Sequence, residues 1–149
     1  MIDVYLQGRL PSILTAEEVV EAFRAAAKAI KKPSRGSVSI VFVTPTEMQR
    51  LNRTWRKKDK RTDVLSFTSS EDFPAPREEE KAIGELFLDA GFIREEAKRR
   101  KITFHEELIR NIVHGALHLY GYDHATLEEE KVMFGIQERV VHSCGKQSC

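Results

Sequence analysis

The stretch Leu108-Ile109-Arg110-Asn111-Ile112-Val113-His114-Gly115-Ala116-Leu117-His118-Leu119-Tyr120-Gly121-Tyr122-Asp123-His124 decides how the rest of the chain is read. Leu108, Ile109, Ile112, Val113 and Leu117 recur at helical spacing and cover much of the circumference, which predicts a central helix rather than a surface one. His114 and His118 stand four apart, so their rings leave one helix face a turn apart and can share a metal. Inside a central helix and without such a partner, both would carry the cost of an unpaired buried polar group. Gly121 supplies a left-handed residue at no steric cost, so the chain can turn sharply there and bring His124 to the same point.

Three imidazoles with no fourth protein ligand in sight form a catalytic zinc arrangement with an open position, one ion per chain, rather than a closed structural one. Zinc held this way lowers the pKa of a bound water from 15.7 to about 7 and can polarise a phosphoryl or carbonyl oxygen. Neutral imidazoles leave the metal its full positive charge, which suits an anionic substrate such as a phosphodiester. The spacing also fits the zinc-protease pattern H-E-x-x-H-x-x-G-x-x-H, but the position of the general-base Glu is held by Gly115. His105-Glu106 does not replace it, because position 109 is Ile109. Peptide hydrolysis therefore becomes the second reading.

Outward from this segment, four threonines are each followed three residues later by a glutamate: Thr15/Glu18, Thr44/Glu47, Thr103/Glu106 and Thr126/Glu129. Each is a capping-box signal, and Pro45 reinforces the second. Helices are expected over about Thr15–Lys31, from Thr44 through Trp55, and near Gly91–Lys101, Thr103–Tyr120 and Thr126–His142. Val38–Val43, Val64–Phe67 and Ile83–Leu88 read as strands, and Ile2–Leu6 as an edge strand. Ser69–Lys81, with two prolines and Glu78-Glu79-Glu80, reads as a solvated surface loop. Strands early and helices late predict an α+β fold, a single domain over residues 1–149 with one sheet of about four strands and about five helices. The metal site would sit on the central helix and the turn after it.

Length and composition agree. At 149 residues the chain is one domain with room for a core. Lys and Arg number 24 against 23 Asp and Glu, so any nucleic-acid contact must come from a local patch. No apolar run approaches the roughly 18 residues of a membrane span, and the start lacks the basic region of a signal peptide, so a soluble intracellular protein is expected. Cys144 and Cys149 fall in a polar tail, 143–149, expected to fray. The local basic patch lies in Asn52-Arg53-Thr54-Trp55-Arg56-Lys57-Lys58-Asp59-Lys60-Arg61-Thr62-Asp63, where arginine's fork can take a phosphate with two hydrogen bonds and an aromatic can stack an unpaired base. Beside a hydrolytic metal this segment becomes a phosphate grip, with Trp55, Arg56, Lys57 and Lys58 as candidate substrate contacts.

These residues resemble the bacterial YbeY family of metal-dependent endoribonucleases in ribosomal RNA maturation. The resemblance rests on three blocks: His114–His124, similar to the signature H-G-x-L-H-L-x-G-Y-D-H; Asn52–Phe67, including Arg56 and Thr62-Asp63-Val64-Leu65-Ser66-Phe67; and Gly84–Leu88. It implies a mixed sheet and a cytoplasmic location. It further implies that His114, His118 and His124 bind zinc, that Arg56 faces the substrate, and that the substrate is single-stranded RNA, including the 3′ end of the small-subunit rRNA. Partners would be rRNA and the small ribosomal subunit, with neither membrane nor DNA. The chain departs from the pattern at Arg61 and Thr68, where proline is expected beside the substrate channel, and at Glu85, where Asp is more usual. The proton acceptor stays open between Asp123, beside the third ligand, and Glu107, seven residues before His114 on the same face; either could instead orient an imidazole. The competing readings are a zinc peptidase-like hydrolase and a non-catalytic ribosome assembly factor with a structural metal.

Overall fold

The computed structural model describes residues 1–33, 35–68 and 82–146. The described residues form β1 (Asp3–Gly8), α1 (Ala16–Ala29), β2 (Ser37–Phe42), α2 (Pro45–Arg56), β3 (Val64–Thr68), β4 (Ala82–Leu88), α3 (Ala90–Arg100), α4 (Phe104–Leu119) and α5 (Leu127–Lys146). This is the expected α+β arrangement, and the expected boundaries hold to within a few residues. The stretch 69–81, expected to be a solvated loop, lies outside the described residues. Residues 143–146 of the tail expected to fray continue α5, and 147–149 lie outside the described residues. No helix among the described residues is long and apolar enough to cross a membrane.

The strands form one mixed sheet in the order β1-β2-β4-β3, with β1 at an edge as its sequence suggested. β1 and β4 flank β2 in parallel, and β3 runs antiparallel to β4. Along β2, Val38, Ile40 and Phe42 are buried while Ser37, Ser39 and Val41 are only partly so. That period of two gives the sheet one face toward the core. α4 touches α1, α3, α5, β3 and β4, and Leu108, Ile112, Val113, Ala116 and Leu117 on it are fully buried. It approaches the sheet closely at Gly115, where a Cβ would stand 2.7 Å from Leu86 Cδ2.

The four capping signals divide into two kinds. At Thr15 and Thr44 both halves of the box are made. At Thr103 the hydroxyl accepts from Glu106 N–H, but the Glu106 carboxylate turns to Arg110 at 3.2 Å. At Thr126 the hydroxyl accepts from Glu129 N–H and donates to the Glu129 carboxylate.

Candidate metal centre

α4 ends in a Schellman motif: Gly121 N–H donates to the His118 carbonyl and Tyr122 N–H to the Leu117 carbonyl, both at 3.0 Å, with Gly121 at φ +96°. The reversal carries His124 back over the helix end. The ring centroids of His114, His118 and His124 then lie 4.6, 5.1 and 5.6 Å apart, and one nitrogen from each falls within 4.8 Å of the others. Burial pushes the His114 and His118 imidazoles below their usual pKa, and for His118 the neighbouring rings add to the effect. Both are thus held in the neutral form that a metal requires. The donor set fits a divalent metal of intermediate softness, and the three predicted ligands are brought together.

His114 Nδ1 sits 2.7 Å from Gln137 Oε1 on α5. Gln137 was not singled out in the sequence, because a contact between residues 23 apart depends on how α5 folds back on α4. Glu107, one of the two candidate carboxylates, is only 3% exposed and is held elsewhere: Arg100 donates to both its oxygens at 2.8 and 3.1 Å, and Arg110 approaches at 3.5 Å. Asp123 does line the centre; its Oδ1 accepts from His124 N–H at 2.8 Å.

The histidines open onto a cleft of about 770 Å³ that is also lined by Arg56, Lys58, Lys60 and Asp63. Arg56 donates to the Ser66 carbonyl at 2.7 Å and lies over the Phe67 ring, 5.1 Å from its centroid. Of the predicted substrate contacts, Arg56 and Lys58 reach the cleft. Trp55 and Lys57 are absent from its described lining: Trp55 is 65% exposed and packs edge-on against Phe67, and the Lys57 ammonium caps the Thr54 carbonyl. The two residues that end the basic segment gain definite contacts. Asn52, buried on α2, donates to the Lys60 carbonyl at 2.9 Å and so pins the basic loop. Asp63 lies beside His114, where its charge partly opposes the drop in that ring's pKa, and accepts from Val64 N–H at 2.8 Å.

The departures from the family pattern also have places. Arg61 forms a fork with the fully buried Asp89, at 2.8 and 3.0 Å, and covers Phe92. Thr68 lines the cleft, and Glu85 is exposed on β4, in register with Phe67. A second groove of about 760 Å³ runs between α1 and α5, but the three-histidine cluster lies in the first.

Fold and site together define a small α+β protein with a three-histidine cluster that could hold a metal ion, opening on a cleft lined by Arg56, Lys58 and Lys60. The family described as "Endoribonuclease YbeY" matches residues 9–145. Endoribonuclease YbeY of Lacticaseibacillus casei (strain BL23) is 39% identical over 121 residues, covering 79% of this chain and 80% of that protein. The protein of the same name from Staphylococcus aureus (strain JH9) is 38% identical over 112 residues, 72% of each chain. A Thermotoga maritima protein solved in solution superposes with a TM-score of 0.64 at 29% identity, over 95% of this chain and 87% of that one. The chain belongs to the YbeY family.

Proposed function

We propose that this chain is a zinc-dependent endoribonuclease of the cytoplasm that cuts single-stranded RNA while ribosomal RNA matures on the small subunit, including at the 3′ end of its rRNA, and that serves ribosome quality control. The observation that carries the reading is the convergence of three imidazoles on a cleft walled by Arg56, Lys58 and Lys60. Shape and charge there suit a phosphodiester, and family membership supplies the class of reaction. A peptidase is not favoured: Gly115 faces Leu86 of the sheet, so no carboxylate fits at the protease-base position.

When bound, the metal supplies Lewis acidity and an activated water. His114, His118 and His124 would hold it. Arg56, fixed by Ser66 and Phe67, keeps part of its guanidinium free to take charge building on the phosphate. Lys58 and Lys60 hold the flanking backbone. Trp55, outside the cleft but next to Arg56, offers a stacking surface to a neighbouring base, with Lys57 beside it. Asp123, on the cleft wall, is the proton acceptor we favour over Glu107, whose oxygens are occupied by arginines.

The test is metal analysis of the untagged protein, paired with cleavage of single-stranded RNA before and after chelation. Cleavage should disappear on chelation and return with zinc, and Arg56→Ala should lower kcat by about 10²-fold while KM changes far less. Metal-loaded protein that leaves RNA intact would overturn the proposal. Products ending in a 2′,3′-cyclic phosphate would show attack by the ribose 2′-OH in place of water.

A further inference from the structure

Gln137 is 6% exposed, and both ends of its amide are engaged. Its Oε1 faces His114 Nδ1 at 2.7 Å, and its Nε2 donates to Glu138 Oε2 at 2.9 Å. Glu138 in turn receives two hydrogen bonds from Arg110, at 2.8 and 2.9 Å. The Arg110 side chain is only 12% exposed and is also gripped by Glu106 and Glu107. Arg110 holds the Glu138 carboxyl below the usual carboxylate range, so Glu138 is an ionised, accept-only group.

The direction of every bond follows. A carboxylate cannot donate, so the amide must turn its NH2 toward Glu138 and its carbonyl toward the imidazole. That carbonyl can only accept, so His114 must carry its proton on Nδ1 and leave Nε2 bare. A histidine that ligates a metal commonly donates its other N–H to such a group, which fixes both tautomer and ring direction.

We propose that Gln137 is a positioning residue for the metal centre, holding His114 as the Nδ1–H tautomer with Nε2 ready to ligate, and that the Glu138–Arg110 ion pair sets the sense of the Gln137 amide. The proposal rests on the metal reading above, and the alternative is that Gln137 merely fills buried space between α4 and α5.

Two measurements on the full-length protein separate these. The first is the tautomer of the His114 ring in the metal-free protein, read from its nitrogen chemical shifts by NMR. The second is zinc affinity by competition with a chromophoric chelator. Wild type should show the Nδ1–H form. Gln137→Met should populate both tautomers and weaken zinc binding by about 10–100-fold. Glu138→Ala changes a half-exposed side chain and threatens folding least; it should move both readouts in the direction of Gln137→Met, by less. Wild-type tautomer and affinity in Gln137→Met and Glu138→Ala would overturn the inference. Failure of the wild type to bind zinc would instead sink the metal reading, and the tautomer comparison would still decide the role of Gln137.

Discussion

Gly115 shows how much one missing side chain settles. It stands one residue after the first histidine, where a zinc protease carries its base, and its Cα hydrogens face Leu86 of β4. A single added methyl would sit 2.7 Å from a Leu86 methyl, so Gly115→Ala should cost about 1–3 kcal/mol by urea denaturation, most of it overpacking. The histidines carry a second expectation at this scale. Folding lowers the His114 and His118 pKa values below their usual 6.5, chiefly through burial, so between that value and the lower folded ones the unfolded chain binds more protons. Stability of the metal-free protein should therefore fall as pH drops below 6.5. His114→Gln should shrink the gap in unfolding midpoint between pH 7.5 and 5.5; an unchanged gap would contradict the burial account. The convergence of the three histidines was legible in the sequence because its geometry is local, set by one helix and one glycine. Gln137 was not, since nothing nearby in the chain announces which polar group a returning helix will meet, and the bond from Asn52 to Lys60 depends on the irregular path of the basic loop.

Among the elements, the helix starts followed from their sequence signals, and the exceptions are instructive. A Thr-x-x-Glu signal secures the forward bond at all four sites, yet Glu106 abandons its return bond for Arg110, a competing cation that a local pattern does not weigh. α3, expected from about Gly91, begins at Ala90 without a Thr-x-x-Glu signal. Its cap is Asp89, which accepts from Phe92 N–H at 3.1 Å and is clasped by Arg61 from the far side of the basic loop. Asp89→Ala removes the cap and strands the guanidinium, and should cost about 2–4 kcal/mol in thermal or urea unfolding. Asp89→Asn keeps a capping oxygen and should lose less. A loss under about 0.5 kcal/mol for the alanine variant would mean that the pair contributes no more than an exposed salt bridge.

For the whole molecule, the relevant fact is that the core does not pass through the metal centre. The buried side chains of α1, α4, β2 and β4 form one cluster, and His124 lies outside it on an exposed turn. Chelation should leave circular dichroism near that of the loaded protein and lower the unfolding midpoint only as far as mass action on the metal requires. Global unfolding on chelation would point to the assembly-factor reading with a structural metal. The mixed strand order belongs to this scale too. Strand identities follow from alternating residues, but the insertion of β4 between β2 and β3 depends on contacts between distant segments, which periodicity does not encode.

The bond from Asn52 to Lys60 bears on how fast this cleft can work. The lysines beside it hang from a stretch of backbone already anchored to a helix, so an arriving polyanion need not gather them one by one. Less disorder is surrendered at the moment of capture, and more of each charge's attraction is left to hold the strand in place.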